Sequence, residues 1–249
     1  MRHLSCFALA GVVLTALCAA PARADDPGEG KIRVLLTYGG HGFDQKAFFA
    51  MFDAIPDIAV TRAELPKQAD LLKPGLEKQF DVIVMYDMCR GMKPEQQQAL
   101  AELLKKGIGL VSLHHNLGAH GGWDEYRKII GGQFILKDCE IDGTKWKTTP
   151  WKHGEDLEIT VADKDHPITK GIDDFQIHDE TYGKFYTAPG IHVLLKTDHP
   201  RNNPDVAWTT RYGASPVFYL MLGHDAAAYN DPNYRKLVAQ GIRWAAGEK

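Results

Sequence analysis

The stretch Gly109-Leu110-Val111-Ser112-Leu113-His114-His115-Asn116-Leu117-Gly118 decides the fold predicted for this sequence. Its short apolar run has the length and composition of a buried strand of a parallel sheet. Two histidines end this run abruptly. In open α/β sheets the ligand crevice lies beyond the carboxyl ends of the strands, so His114 or His115 is expected to line the functional cleft.

The segments before this stretch alternate between strands and amphipathic helices, which predicts a parallel sheet with crossover helices. The helices are expected to begin near Asp44 and Pro94, and a last helix near Pro232. The second half adds strands in mixed or antiparallel order. We therefore expect one α/β domain over residues 25–249. Its strands are predicted at residues 32–37, 58–62, 81–86, 109–113, 157–161, 191–197, 206–210 and 217–222.

Residues 1–24 have the form of a cleaved secretory signal. A basic start is followed by the apolar run Leu4 to Ala20 and by the small-x-small site Ala22-Arg23-Ala24. The apolar run is too short, and too rich in small residues, to be a convincing membrane span. The sequence predicts a periplasmic or secreted protein that has no membrane span after cleavage.

The charge of the chain argues against a nucleic-acid partner, and its cysteine content leaves open whether a disulfide forms. The chain has 29 basic and 32 acidic residues and no basic cluster, so no nucleic-acid partner is expected. Cys89 and Cys139 are the cysteines of the mature chain. An exported compartment would allow them to pair, but a reduced pair is equally compatible with the sequence.

Several short motifs, taken in order, resemble the ThuA-like (trehalose utilisation) family over essentially the whole mature chain. The resemblance implies a flavodoxin-like, class I glutamine amidotransferase-like three-layer α/β sandwich. It also implies a link to disaccharide catabolism, beside proteins that oxidise sugars to 3-keto derivatives. The motifs are Thr37–His41, Gly109–His114, Tyr126–Phe134, His166–Gly171, Asp179–Tyr182, Ala207–Gly213, Leu222–Asp225 and Trp244–Gly247.

The same resemblance excludes one activity. Glutamine amidotransferases place a cysteine nucleophile on the turn after the central strand, and this sequence has His114 there. Without a thiolate no thioester forms, so glutamine hydrolysis is not expected. The chain also departs from the family pattern at residues 135–138 and 214–216, so its substrate preference is expected to differ.

Four residues are predicted as the catalytic groups. His41, His114 and His224 each follow an apolar run at an expected strand end, and Glu180 lies in the dense polar cluster His178–Tyr182. Imidazoles beside a carboxylate are suited to general acid-base chemistry. Helix capping, a packed core histidine and a solvated loop are the structural alternatives.

Five further residues are predicted to bind substrate: Tyr38, His115, Trp123, Tyr182 and Asp225. The aromatic rings could stack on a sugar, and Asp225 could instead orient a neighbour or cap a helix. His153, His166, His192 and His199 are interpreted as surface or turn residues.

A metal site is left open by the sequence. His41, His114, Glu180 and His224 are ligand types that suit zinc or another divalent transition metal. Their spacing is not diagnostic, because the histidines come from separate strand ends and only the fold can unite them. The cofactor therefore stays unknown at this point.

The leading hypothesis is an exported hydrolase or lyase that acts on a glycoside, disaccharide or 3-keto-glycoside. His114, helped by His41, would remove a proton, and Glu180 or His224 would deliver one to the leaving oxygen. The first alternative is a non-catalytic sugar-binding or accessory protein. The second is a metal-dependent hydrolase of another small substrate.

Overall fold

The computed structural model describes residues 30–247. Its strands are β1 (Ile32–Gly39), β2 (Ile58–Glu64), β3 (Val82–Asp87), β4 (Gly109–Leu113), β5 (Gly132–Gln133), β6 (Cys139–Ile141), β7 (Thr144–Trp146), β8 (Trp151–Val161), β9 (Phe175–Tyr182), β10 (Tyr186–Thr187), β11 (His192–Lys196), β12 (Asp205–Tyr212) and β13 (Ser215–Leu220). Its α-helices are α1 (Gln45–Asp53), α2 (Pro94–Lys105), α3 (Asp124–Ile130), α4 (Ala226–Asn230) and α5 (Pro232–Ala245).

One large sheet of nine strands organises the molecule, in the order β2-β1-β3-β4-β13-β12-β11-β8-β9. The neighbours from β2 to β13 pair in parallel. From β13 to β9 every pair is antiparallel. The structure confirms the predicted α/β fold with a parallel core and added antiparallel strands.

The central strands β3 and β4 are buried at every residue, as expected for a sheet covered by helices on its faces. Helix α5 packs against β3, β4 and β13, while α3 packs against β12 and β13. Gly109 opens β4 because α5 passes very close. A Cβ at this position would lie 2.2 Å from the carbonyl oxygen of Ala245.

The predicted helix starts are confirmed by their caps. Asp44 Oδ1 accepts a hydrogen bond from the backbone N–H of Ala47 at 3.0 Å, and Asp231 caps α5 through its side chain in the same way. The short strands β5, β6, β7 and β10 were not predicted, and two longer strands also differ from the prediction. β8 begins six residues earlier than expected, and β9 occupies a segment for which a solvated loop was the alternative.

The predicted signal, residues 1–24, lies outside the described residues. Among residues 30–247, no helix combines the length and apolar character needed to cross a membrane. Cys89, which is buried, and Cys139, which is exposed, are both free thiols.

Candidate functional site

The large sheet brings four of its strand ends to one place. His41 follows β1, His114 and His115 follow β4, and His224 follows β13. These three strands are parallel, so their carboxyl ends share one edge. Glu180 reaches the same place from β9, on the antiparallel side of the sheet. The predicted convergence of His41, His114, Glu180 and His224 is present.

His114 occupies a sharp turn directly after β4. Its backbone is left-handed, with φ of 48°, which is uncommon for a residue other than glycine. The ring Nδ1 lies 2.6 Å from the carbonyl oxygen of Met221, and a carbonyl only accepts, so Nδ1 carries a hydrogen. Nε2 is thereby turned towards Glu180 Oε2 at 3.0 Å and the Tyr182 hydroxyl at 2.9 Å.

Glu180 is the centre of the cluster. Its Oε2 lies 3.0 Å from His114 Nε2 and 3.1 Å from His224 Nδ1, and its Oε1 lies 3.2 Å from His153 Nδ1. Burial works to raise the pKa of Glu180, but the hydrogen bonds and charges of His114 and His224 outweigh it and hold that pKa well below its usual range. The carboxylate is therefore ionised at neutral pH.

His224 stands on a tight turn that Asp179 holds. Asp179 accepts hydrogen bonds from the backbone N–H of Gly223 at 2.7 Å and of His224 at 3.0 Å. Gly223 has φ of 114°, and a Cβ there would lie 2.2 Å from the Tyr234 hydroxyl, so the turn requires glycine. Burial works to lower the pKa of His224, but Glu180 outweighs it and raises that pKa.

His41 and His115 form a stacked pair with 4.5 Å between ring centroids. His115 Nε2 donates to the carbonyl oxygen of Tyr86 at 2.9 Å, and His41 Nδ1 donates to that of Gly42 at 2.7 Å. Burial lowers the pKa of His41, and burial with the neighbouring His114 lowers that of His115 much further. Both rings are therefore neutral at pH 7, each with one nitrogen lone pair left over.

His41, His115 and Glu180 border a cavity of about 270 Å³, and His114 and His224 contact its wall through Glu180. Its polar lining is His41, Arg90, His115, His153, Glu180 and Tyr182. An apolar wall of Met88, Phe134, Leu136 and Trp151 completes it. Trp151 is 57% exposed, and its ring lies 4.8 Å from that of His153. The cavity thus combines ionisable groups with a flat, accessible aromatic face.

A larger cavity of about 700 Å³ adjoins the first at Trp151. Its lining includes Lys152, Lys184 and Arg201 but no histidine or carboxylate. It therefore lacks groups that exchange protons near neutral pH. The smaller cavity is the candidate active site.

Three predicted binding residues lie away from this cavity. Tyr38 packs edge-on against Phe43 and Phe49. Trp123 stacks on Tyr126, with 5.6 Å between ring centroids. Asp225 caps α4 by accepting from the backbone N–H of Ala227. The structure does bring His115 and Tyr182, the other two predicted binding residues, to the cavity.

His153, Asp179 and Trp151 were missed as site residues by the sequence analysis, which assigned His153 to the surface. Trp151 and His153 lie on the early part of β8. Extending the alternation of Leu157, Ile159 and Val161 backwards would have found them, but the pairing is irregular between residues 152 and 155. The role of Asp179 could not be read from the local sequence, because it accepts from the backbone N–H groups of Gly223 and His224, which lie 44 and 45 residues further along the chain.

His178 belongs to the same polar cluster of the sequence as Glu180 and Tyr182. Glu180 and Tyr182 are buried, whereas the side chain of His178 is 53% exposed and lies 2.6 Å from Asp156. On the face of β9 that these three residues share, only the residues near the carboxyl end of the strand are buried. His178 is therefore outside the site.

The donor atoms of His114, Glu180 and His224 fit a divalent metal ion. The distances between them are 3.0 to 3.2 Å, so all three atoms are close enough together to contact one ion. The other ring nitrogen of His114 donates to a backbone carbonyl, which is how metal-binding histidines are commonly oriented. His41, the fourth predicted ligand, borders the cavity but is not part of this compact group.

The fold and the site define a class of protein. It is an α/β protein of the class I glutamine amidotransferase-like type, in which a histidine replaces the cysteine nucleophile after the central strand. Neither Cys89 nor Cys139 lines the cavity. That glutaminase activity is absent stays a prediction.

The chain belongs to the ThuA family, described as trehalose utilisation, whose model matches residues 33–245. This membership indicates a role in carbohydrate metabolism. No curated protein matches the sequence.

Solved structures show the same fold at low sequence identity. A ThuA-like protein from Parabacteroides merdae is 19% identical with a TM-score of 0.72, covering 88% of this chain and 91% of its own. One from Bacteroides uniformis is 18% identical with a TM-score of 0.66, covering 91% and 95%. A β-galactosidase from Bacillus circulans sp. alkalophilus is 14% identical with a TM-score of 0.54, covering 88% of this chain and 31% of its own.

Proposed function

We propose that this protein is an exported enzyme of carbohydrate catabolism that cleaves glycosides, in particular 3-keto-glycosides, by acid-base chemistry. The observation that carries the proposal is the cavity itself. Glu180 contacts both His114 and His224, and the neutral ring of His41 borders the same cavity, 6.3 Å from the ring of His224. The signal-like residues 1–24 favour action in the periplasm or the medium. The substrate partner is a small carbohydrate.

The reaction needs one base and one acid. A ketone at C3 of the sugar acidifies the hydrogen at C2, so a neutral imidazole is a strong enough base to remove it. The electron pair then forms a C1–C2 double bond while the bond from C1 to the leaving oxygen breaks. The acid gives its proton to that oxygen. Addition of water to the double bond would complete a net hydrolysis.

The pKa values favour particular residues for these two roles. Glu180 has a lowered pKa and is ionised, so it is not the proton donor. The raised pKa of His224 favours it as the acid. The exposed His41, with a lowered pKa, is better placed as the base than His114, whose Nε2 is enclosed by Glu180 and Tyr182. His114 then acts by positioning Glu180.

Trp151 supports a sugar as the substrate. Its indole is exposed beside the cavity, and the apolar face of a pyranose packs well on such a ring. Arg90 borders the same space and could donate to sugar hydroxyls.

The test is turnover of 3-keto-glucosides by the purified protein. We expect release of the aglycone by the wild type, and a loss of at least about 100-fold in His41→Ala and His224→Ala. His178→Ala is the matched control, since this exposed histidine lies outside the cavity. If no keto-glycoside or disaccharide reacts but sugars bind, the alternative of a sugar-binding accessory protein is favoured instead.

A metal-dependent hydrolase is the second candidate, favoured by the compact donor set of His114, Glu180 and His224. A divalent cation there would polarise a substrate oxygen or bound water. Metal analysis of protein purified without added ions, and of Glu180→Gln, distinguishes the two candidates. A decrease of bound metal in the variant relative to the wild type, with activity lost on chelation, favours the hydrolase.

A further inference from the structure

A second group of metal-ligand types lies behind the turn that carries His114. Asp87 ends β3, Cys89 follows it two residues later, and His120 lies just beyond the turn. One donor atom from each of the three lies within 4.8 Å of the others. Asp87 and Cys89 are fully buried and His120 is 3% exposed. The group does not border the cavity of about 270 Å³.

His120 is the feature that needs an explanation. Within residues 30–247, neither of its ring nitrogens has a hydrogen-bond partner, although both are buried. Nε2 is directed at Asp87 Oδ2, but at 3.6 Å, too far for a hydrogen bond. Leaving a buried polar group without a hydrogen bond destabilises the folded protein. A buried group of this kind commonly indicates an ion or water.

The surroundings orient these donors towards one another. Asp87 Oδ1 accepts from the Thr37 hydroxyl at 2.6 Å, and Oδ2 accepts from the backbone N–H of Cys89 at 3.2 Å. The backbone N–H of His120 donates to the carbonyl oxygen of Cys89 at 2.6 Å. These hydrogen bonds hold Asp87, Cys89 and His120 close together in the absence of an ion.

We propose that Asp87, Cys89 and His120 bind a divalent transition metal ion, with zinc favoured by the mixture of thiolate, imidazole and carboxylate donors. The Cys89 thiol releases its proton to solvent on binding, while His120 binds as the neutral imidazole and Asp87 as the carboxylate. A fourth position is left for water or another donor. This site is separate from the cavity and does not depend on the function proposed above.

The ion would hold the active-site turn. Asn116 donates its side-chain N–H to the carbonyl oxygen of Asp87 at 2.8 Å, and His115 donates to that of Tyr86. Both ends of the segment, His114 and His120, have left-handed backbones with φ of 48° and 53°. A metal that joins the end of β3 to His120 would keep this costly conformation in place.

Cobalt substitution tests the site and separates it from the cavity. The purified protein is stripped with a chelator and titrated with Co²⁺, and the thiolate-to-cobalt charge-transfer absorption is recorded. The cavity group has no cysteine, so cobalt bound there cannot produce this band. We expect the band in the wild type, in Glu180→Gln and in Cys139→Ser, which changes the exposed thiol.

Cys89→Ser should abolish the band, and His120→Ala should weaken cobalt binding at least about tenfold. If Cys89→Ser does not fold, Asp87→Asn and His120→Gln supply the same comparison of affinity. Absence of the band in the wild type, its persistence in Cys89→Ser or its loss in Cys139→Ser would overturn the proposal. Zinc should also raise the melting temperature of Glu180→Gln, and no shift there would count against it.

Discussion

The parallel and antiparallel halves of the large sheet hold their cavity residues in different ways. On the parallel side, His41, His114 and His115 follow strand ends, and each ring donates one N–H to a backbone carbonyl. On the antiparallel side, Glu180 lies on the edge strand β9 and His153 on its neighbour β8, and the two side chains contact each other. The parallel half therefore fixes ring orientation and tautomer, while the antiparallel half brings the negative charge.

This difference separates two kinds of contribution to the site. Backbone carbonyls do not titrate, so the acceptors that orient the three rings keep the same charge at every pH. The charge of Glu180 reaches His114 and His224 through hydrogen bonds that depend on protonation. Changes on the antiparallel side are therefore expected to alter activity and pH response more than they alter the sheet.

Glu180→Gln is expected to have the largest effect. The amide keeps the shape of the side chain but removes the charge that raises the pKa of His224. We expect at least about a 100-fold decrease in kcat/KM for a 3-keto-glucoside. Steady-state kinetics beside His178→Ala provide the measurement. Equal activity of both variants would mean that the antiparallel half is not needed for chemistry.

Asp179→Ala is expected to have the next largest effect, through the turn that joins the two halves. It leaves the backbone N–H groups of Glu180, Gly223 and His224 without their buried acceptor. A loss of about 1–3 kcal/mol in the free energy of unfolding is expected. Urea unfolding measures it, with Asp156→Ala as the exposed control. An unchanged midpoint would show that the turn is held by other contacts.

The ion pair of Glu180 and His224 predicts a pH-dependent term in stability. The pKa of Glu180 is lowered in the folded state, so its contribution is present above the ordinary value of 4.5 and is lost as the pH falls through the folded value. The pKa of His224 is raised, so its contribution is complete below 6.5 and is lost as the pH rises through the folded value.

The stability difference between wild type and Glu180→Gln should therefore be larger at about pH 5.5 than at about pH 9. Unfolding in urea at both pH values gives this difference. A difference that grows towards high pH would contradict the assigned directions of the two pKa shifts.

Trp151→Ala is expected to have the smallest effect, because this side chain is largely exposed and contributes little to the core. Loss of a stacking platform corresponds to about 0.5–1.5 kcal/mol, so KM should rise about two- to tenfold with little change in kcat. The matched comparison is Trp123→Ala, whose indole is packed on Tyr126 away from the cavity. A larger rise in KM for Trp123→Ala than for Trp151→Ala would indicate that the sugar binds beside Trp123 instead.

Much of the parallel half could be predicted from local patterns. Buried strands such as β3 and β4 are short apolar runs, and the caps Asp44 and Asp231 precede their helices directly. The position of His41, His114 and His224 at strand ends followed from the same patterns. These features depend on residues close together in the chain, so the sequence reveals them.

The antiparallel half was less predictable, because its partners are distant in the chain. His153 is paired with Glu180 only through the registry of β8 and β9, and an irregularity in that registry hides the alternation. Trp123 was expected at the cavity and Trp151 was not, although both are aromatic residues near polar segments. Nothing local distinguishes an indole packed on Tyr126 from one that faces the cavity.

The sequence by itself determined the fold class, the family and the strand ends where the histidines stand, since these depend on apolar periodicity and on motif order. Only the tertiary structure decided which side chains meet. Glu180 joins His114 and His224 because β9 closes the sheet on the far side, and Asp87, Cys89 and His120 meet because β3 ends beside the turn after β4. These side chains are brought together by the pairing of strands that are distant in the sequence, so the spacing of residues along the chain does not reveal their contacts.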